Sequence, residues 1–157
     1  MAPADPIVRE VDIEATPEVV FEFFVDAGKL NRWLTVESTV DPSPGGRCLQ
    51  SHEAAEGRVF HMEGTFVEVD PPRRVVFTWG FVEPEVGVEP GASVVEVTLE
   101  PIGTGTRVHL VHRDLPANEV GNHAGGWTRM LDRLAKAVAT EMRPVHRASA
   151  WRAEGRD

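Results

Sequence analysis

His109 and His112 stand three residues apart, a spacing that invites a metal reading. The stretch around them, Val108-His109-Leu110-Val111-His112, has the composition of a strand, and residues three apart on a strand point to opposite faces. The pair therefore cannot share an ion. Cys48 is the single cysteine, which leaves neither an internal disulfide nor a thiolate zinc cluster. With His52, His61 and His123 scattered along the chain, no metal and no cofactor is expected. His112 keeps two other readings. It shares a face with Val108 and Leu110, so it is either an inward imidazole satisfied by a neighbour or an acid/base that moves a proton near neutral pH. No carboxylate pair at glycosidase spacing, nucleophile elbow or glycine-rich phosphate loop is present. The large side chains Trp33, Phe60, Phe77, Trp79 and Trp127, with Leu131, are the remaining candidates. They are either ordinary core or the wall of a cavity in which an indole N–H meets a ligand oxygen. Trp33 and Trp127 are expected near its mouth.

These residues need elements to aim them. The segment from Ile7 to Glu14 alternates and predicts a strand with Val11 and Ile13 inward. Thr16 is a good N-cap, Pro17 suits the first helical position, and Glu18 suits the positive end of the dipole. The helix so opened should bury Val20, Phe23, Phe24 and Ala27 and stop at Gly28. A second short helix is expected over Lys29 to Leu34, carrying Trp33. Pro44-Gly45-Gly46 is a turn into a strand from Arg47 to His52. Arg58 to Asp70 holds one long bent strand or two, with Gly64 as the bend. A bulge there would decide whether Phe60 and Met62 or Val59 and His61 face inward; Phe60 is expected inward.

After the turn Pro71-Pro72-Arg73-Arg74, the residues Val75, Phe77, Trp79 and Phe81 line one face of a strand. The stretch from Glu83 to Gly91, with three Glu, two Pro and two Gly, is expected as a mobile loop. Val95, Val97 and Leu99 mark another strand, and Ile102-Gly103-Thr104-Gly105 its hairpin turn into the last. A long helix from Ala117 to Met142 places Val120, Ala124, Trp127, Leu131, Leu134 and Val138 on one stripe, and Pro144 ends it. Gly125-Gly126 inside it costs about 1 kcal/mol per glycine relative to alanine. The pair lets the helix approach the sheet or bend, or leaves room for a ligand. A curved antiparallel sheet with the long helix across its concave face would bury both apolar surfaces.

The whole chain has 157 residues, 41% of them hydrophobic and 26% charged, which suits one globular domain. Its net charge of −9 repels phosphate backbones and lowers the expectation of nucleic-acid binding. No apolar run approaches the roughly 18 to 20 residues that would span a bilayer. The start, MAPADPIVRE, lacks a secretory pattern, so a cytoplasmic location is expected. The last fifteen residues hold four Arg against Glu154 and Asp157. The expected organisation is one domain over residues 1–142 and a basic, flexible tail over 143–157.

Several words in this order resemble the START-like (SRPBCC) superfamily, in its branch of activators of a heat-shock chaperone ATPase. They are Ala15-Thr16-Pro17-Glu18-Val19-Val20-Phe21, Asn31-Arg32-Trp33, Gly45-Gly46-Arg47, Glu68 through Trp79, Gly105-Thr106-Arg107-Val108, and His123-Ala124-Gly125-Gly126-Trp127 through Leu134. Family members often have a second aromatic where this chain has Leu34, and the acidic loop and basic tail fall outside the pattern. The resemblance implies an α+β helix-grip fold: six to seven antiparallel strands wrapped on a long C-terminal helix, with two short helices after the first strand. It also implies a cavity for a small apolar or amphipathic molecule. The expected function is binding of such a molecule, lined by Trp33, Phe60, Phe77, Trp79, His112, Trp127 and Leu131. A polyketide-cyclase-type enzyme with His112 as acid/base is the alternative. A co-chaperone role is disfavoured, because the activators that named the branch carry an additional large domain. A homodimer is compatible with each of these readings.

Overall fold

The computed structural model describes residues 4–143. Beyond Arg143, the basic tail lies outside the described residues. Strand β1 (Ile7–Ile13) leads into α1 (Pro17–Val25) and α2 (Ala27–Leu30). Then come β2 (Glu37–Val40), β3 (Arg47–Glu53), β4 (Val59–Asp70), β5 (Arg74–Trp79), β6 (Ser93–Ile102) and β7 (Gly105–Arg113), before α3 (Ala117–Glu141). The seven strands form one antiparallel sheet in the order β1-β7-β6-β5-β4-β3-β2. One face receives α3, through Trp127, Leu131, Leu134 and Val138, all buried. Opposite them, β6 buries Val95, Val97 and Leu99, and β7 buries Val108, Leu110 and His112. This is the helix-grip fold.

The start of α1 follows its local chemistry: Thr16 Oγ1 accepts from the Val19 N–H at 3.4 Å, and Pro17 takes the first position. The break between the two short helices does not fall at Gly28, which sits inside α2. Asp26 makes it instead. Its backbone is extended and its Oδ2 accepts from the Lys29 N–H at 3.0 Å, capping α2. Ala27 thus opens the second helix, and α1 buries Val20, Phe21, Phe23 and Phe24. Trp33 stands on the turn after α2. Strand β2 is an element without apolar alternation in its sequence, at the sheet edge beside β3.

Strand β4 is a single strand with Met62 buried and Phe60 half-buried on its inner face. Its irregularity lies between Phe66 and Glu68 rather than at Gly64. Gly64 serves close approach: a Cβ there would stand 2.1 Å from the Thr78 carbonyl oxygen. The 83–91 loop, expected to be mobile, makes several contacts with the strands beside it. Val88 is buried and its carbonyl accepts from the Phe81 N–H at 2.7 Å. Glu83 accepts from both the His61 N–H (2.8 Å) and its Nδ1 (2.7 Å), and Arg58 pairs with Glu85.

Candidate functional site

Between the first half of α3 and the ends of β3, β4 and β5 lies an open cleft of about 420 Å³. Phe60, Trp79 and Trp127 line it, joined by His52, Phe81 and His123. The 83–91 loop adds Val86 and Glu85 as a side wall. Trp79 is its floor, with ring centroids 5.1 Å from His52, 5.6 Å from Phe81 and 5.4 Å from Trp127.

Four of the expected site residues lie elsewhere. Trp33 is not at the mouth. It is 2% exposed, its indole N–H donates to the Phe23 carbonyl at 2.9 Å, and it packs edge-on against Phe24. Phe77 packs between Phe66 and Trp79, and Leu131 is core. His112 is wholly buried behind Trp79 and Trp127, outside the lining.

His112 is held by both nitrogens. The Trp127 indole N–H donates to Nδ1 at 2.9 Å, so the proton sits on Nε2, which lies 2.9 Å from Ser93 Oγ. The Ser93 hydroxyl donates in turn to the Trp79 carbonyl at 2.8 Å. Burial pushes the His112 imidazole down to about 3, with His123 nearby adding a smaller repulsion. His123 is arranged the same way: Trp79 Nε1–H donates to its Nε2 at 3.3 Å, and its Nδ1–H reaches the Glu119 carbonyl at 3.0 Å. Burial lowers it too, against an upward pull from Glu119. Both indole N–H groups are thereby engaged within the protein, and neither is open to a ligand oxygen as the sequence suggested. His52 is pushed down to about 4, again by burial first and His123 second. These three imidazoles are neutral near pH 7.

His52, Phe81 and His123 were absent from the sequence-derived lining, although signals for them exist. Phe81 continues the alternation Phe77, Trp79 along one face. His52 falls two residues from Gln50 and four from Cys48, both buried. His123 lies four residues before Trp127, on the flank of the apolar stripe. Gly126 also borders the cleft, and a Cβ there would meet only the Arg129 side chain, at 3.9 Å. The glycine pair therefore does not serve helix–sheet contact. Gly126 leaves space at the cleft. Among the described residues no cluster of three or more His, Cys, Asp or Glu is placed to hold a metal ion, and no helix is long and apolar enough to cross a membrane.

A helix-grip sheet with an aromatic cleft under its long helix defines a START-like domain. The chain belongs to the family described as Activator of Hsp90 ATPase homolog 1-like protein, whose profile matches residues 14–139. Among solved structures, it is similar to the AHSA1-like protein from Aeromonas hydrophila: 26% identity, TM-score 0.72, covering 87% of this chain and 94% of that one. It is also similar to CalU16 from Micromonospora echinospora, at 27% identity and TM-score 0.65, over 96% of this chain and 84% of that one. The Aha1 dimer from Colwellia psychrerythraea shares the fold at 18% identity and TM-score 0.69, over 86% and 96% of the two chains. Among curated proteins, none matches.

Proposed function

We propose that the protein binds a small apolar or amphipathic molecule in this cleft and carries no catalytic set of its own. The supporting observation is the wall: four aromatic side chains around about 420 Å³ of open space, a size typical of small-molecule sites. Neutral imidazoles suit it, because a charged group facing an apolar ligand would lose solvation without return. The cyclase alternative is weakened by the position of His112, whose two nitrogens are engaged and which is outside the cleft lining. Stimulation of a chaperone ATPase, suggested by the family description, is a further alternative. It predicts a changed ATPase rate on adding the protein, where the binding reading predicts none. The Colwellia relative is a dimer, and a homodimer is compatible with a cleft built within one chain. The proposed compartment is the cytoplasm.

Native mass spectrometry tests the reading. The expected result is a stoichiometric small-molecule adduct on the purified protein, or one formed on exposure to a panel of apolar aromatics. An unchanged mass throughout, with no thermal shift from any panel member, would sink it.

A further inference from the structure

The two imidazoles that line the cleft, His52 and His123, and the His112 imidazole buried behind it differ in one respect. His112 and His123 each have both ring nitrogens hydrogen-bonded inside the protein. His52 has one. Its Nε2 lies 2.8 Å from Gln50 Oε1, and Nδ1 meets no protein partner among the described residues. No buried side-chain nitrogen or oxygen lacks a partner among those residues. The free Nδ1 is therefore accessible, on a side chain that lines the cleft.

The strand behind it fixes which kind of group Nδ1 is. Cys48, Gln50 and His52 alternate onto one face of β3. Gln50 is buried, and its Nε2 donates to Cys48 Sγ at 3.5 Å, which turns Oε1 toward His52. An amide oxygen can only accept, so the His52 proton must sit on Nε2. Nδ1 then carries a lone pair, and a ligand beside it must bring the donor. The nearby charges narrow the ligand further. Glu53, Glu85 and Glu119 border the cleft, against two guanidinium groups: Arg129 on its wall and Arg58, which pairs with Glu85 and lies over the Phe60 ring. An anionic ligand is disfavoured by that balance.

We infer that the cleft selects a non-anionic, ring-bearing molecule with a hydroxyl group that donates a hydrogen bond to His52 Nδ1. This rests on the ligand-binding reading above and specifies the ligand class. An acceptor-only molecule such as a ketone or methyl ether of the same shape would fill the space but leave Nδ1 unpaired. Desolvating an unpaired acceptor is unfavourable, so discrimination should be real even though one hydrogen bond is modest.

Three probes of one shape test it: 2-naphthol, 2-methoxynaphthalene and 2-acetonaphthone, titrated by fluorescence into the protein and into His52→Phe. The expected result is 2-naphthol bound about five- to tenfold tighter than either acceptor-only probe, the size of one net hydrogen bond. In His52→Phe the three affinities should converge while 2-methoxynaphthalene still binds. If that variant fails to fold, the ranking on the unaltered protein decides. Equal affinities there, or tighter binding of the ketone, would overturn the donor assignment while leaving ligand binding intact. A preference for 2-naphthol that persists in folded His52→Phe would overturn the role of His52. Binding of none of the three, with no adduct by native mass spectrometry, would remove the ligand-binding reading and this inference with it.

Discussion

His112 joins the sheet to the helix: its ring lies between the indole N–H of Trp127 on α3 and the hydroxyl of Ser93 on β6. Replacing it by leucine leaves a buried indole N–H without an acceptor, at a cost of about 1–3 kcal/mol. A urea titration of His112→Leu should show a loss of at least that order, and an unchanged midpoint would refute the structural role. Proton linkage gives a second check. Burial pushes His112 down to about 3 and His52 down to about 4, below the ordinary 6.5, so the unfolded chain binds more protons in between. Stability is therefore full above about pH 6.5 and falls as pH drops toward 4, by up to about 1.4 kcal/mol per pH unit for each histidine. A urea midpoint that stays level from pH 7 to pH 5 would show these imidazoles to be less deeply held. Cys48 gives a third. Burial raises its thiol to about 12, so it should resist alkylation at pH 8 in the native protein and react once urea is added.

At the scale of elements, glycine to alanine changes sign with position. At Gly64 a Cβ would collide with the Thr78 carbonyl, so Gly64→Ala forces β4 from β5 and should cost about 1–3 kcal/mol. At Gly126 the same change meets only the far end of the Arg129 side chain and improves helix propensity by up to about 1 kcal/mol. The larger Gly126→Leu should keep or raise the melting temperature while occluding the cleft and reducing 2-naphthol affinity at least tenfold. Retained affinity in that variant would place the ligand elsewhere. Elements with strong periodicity were legible in the sequence: the stripe of α3, the alternation of β5, β6 and β7, and the cap at Thr16. Strand β2 was not, because Glu37-Ser38-Thr39-Val40 has too few apolar positions to reveal a period, and its pairing with β3 makes it a strand. Asp26 was missed for a related reason. An aspartate that caps the next helix competes, in sequence, with a glycine that suggests a stop.

For the molecule as a whole, α3 is divided. From Trp127 to Val138 it is anchored by four buried residues, while residues 117–126 contain none and lie over the cleft. Backbone amides in that first half should exchange faster than those from 127 onward, and bound 2-naphthol should slow them selectively. Uniform slowing along α3 would argue for a global stabilisation without contact at the cleft. Apart from β2, the element types, their order and most inward faces are legible in the sequence, because these follow from periodicities that operate over a few neighbouring residues. Through resemblance it also carried the fold and the idea of a cavity. Tertiary structure alone decided which aromatic residues line that cavity. Trp33, Phe77 and Leu131 have inward faces like Trp79 and Trp127, yet a cleft is the space left where packing between distant elements stops. It decided the hydrogen bonds as well. The partners of the Trp79 and Trp127 indoles are histidines on other elements, 44 and 15 residues away along the chain. Only their placement determines which polar atoms are left for a ligand.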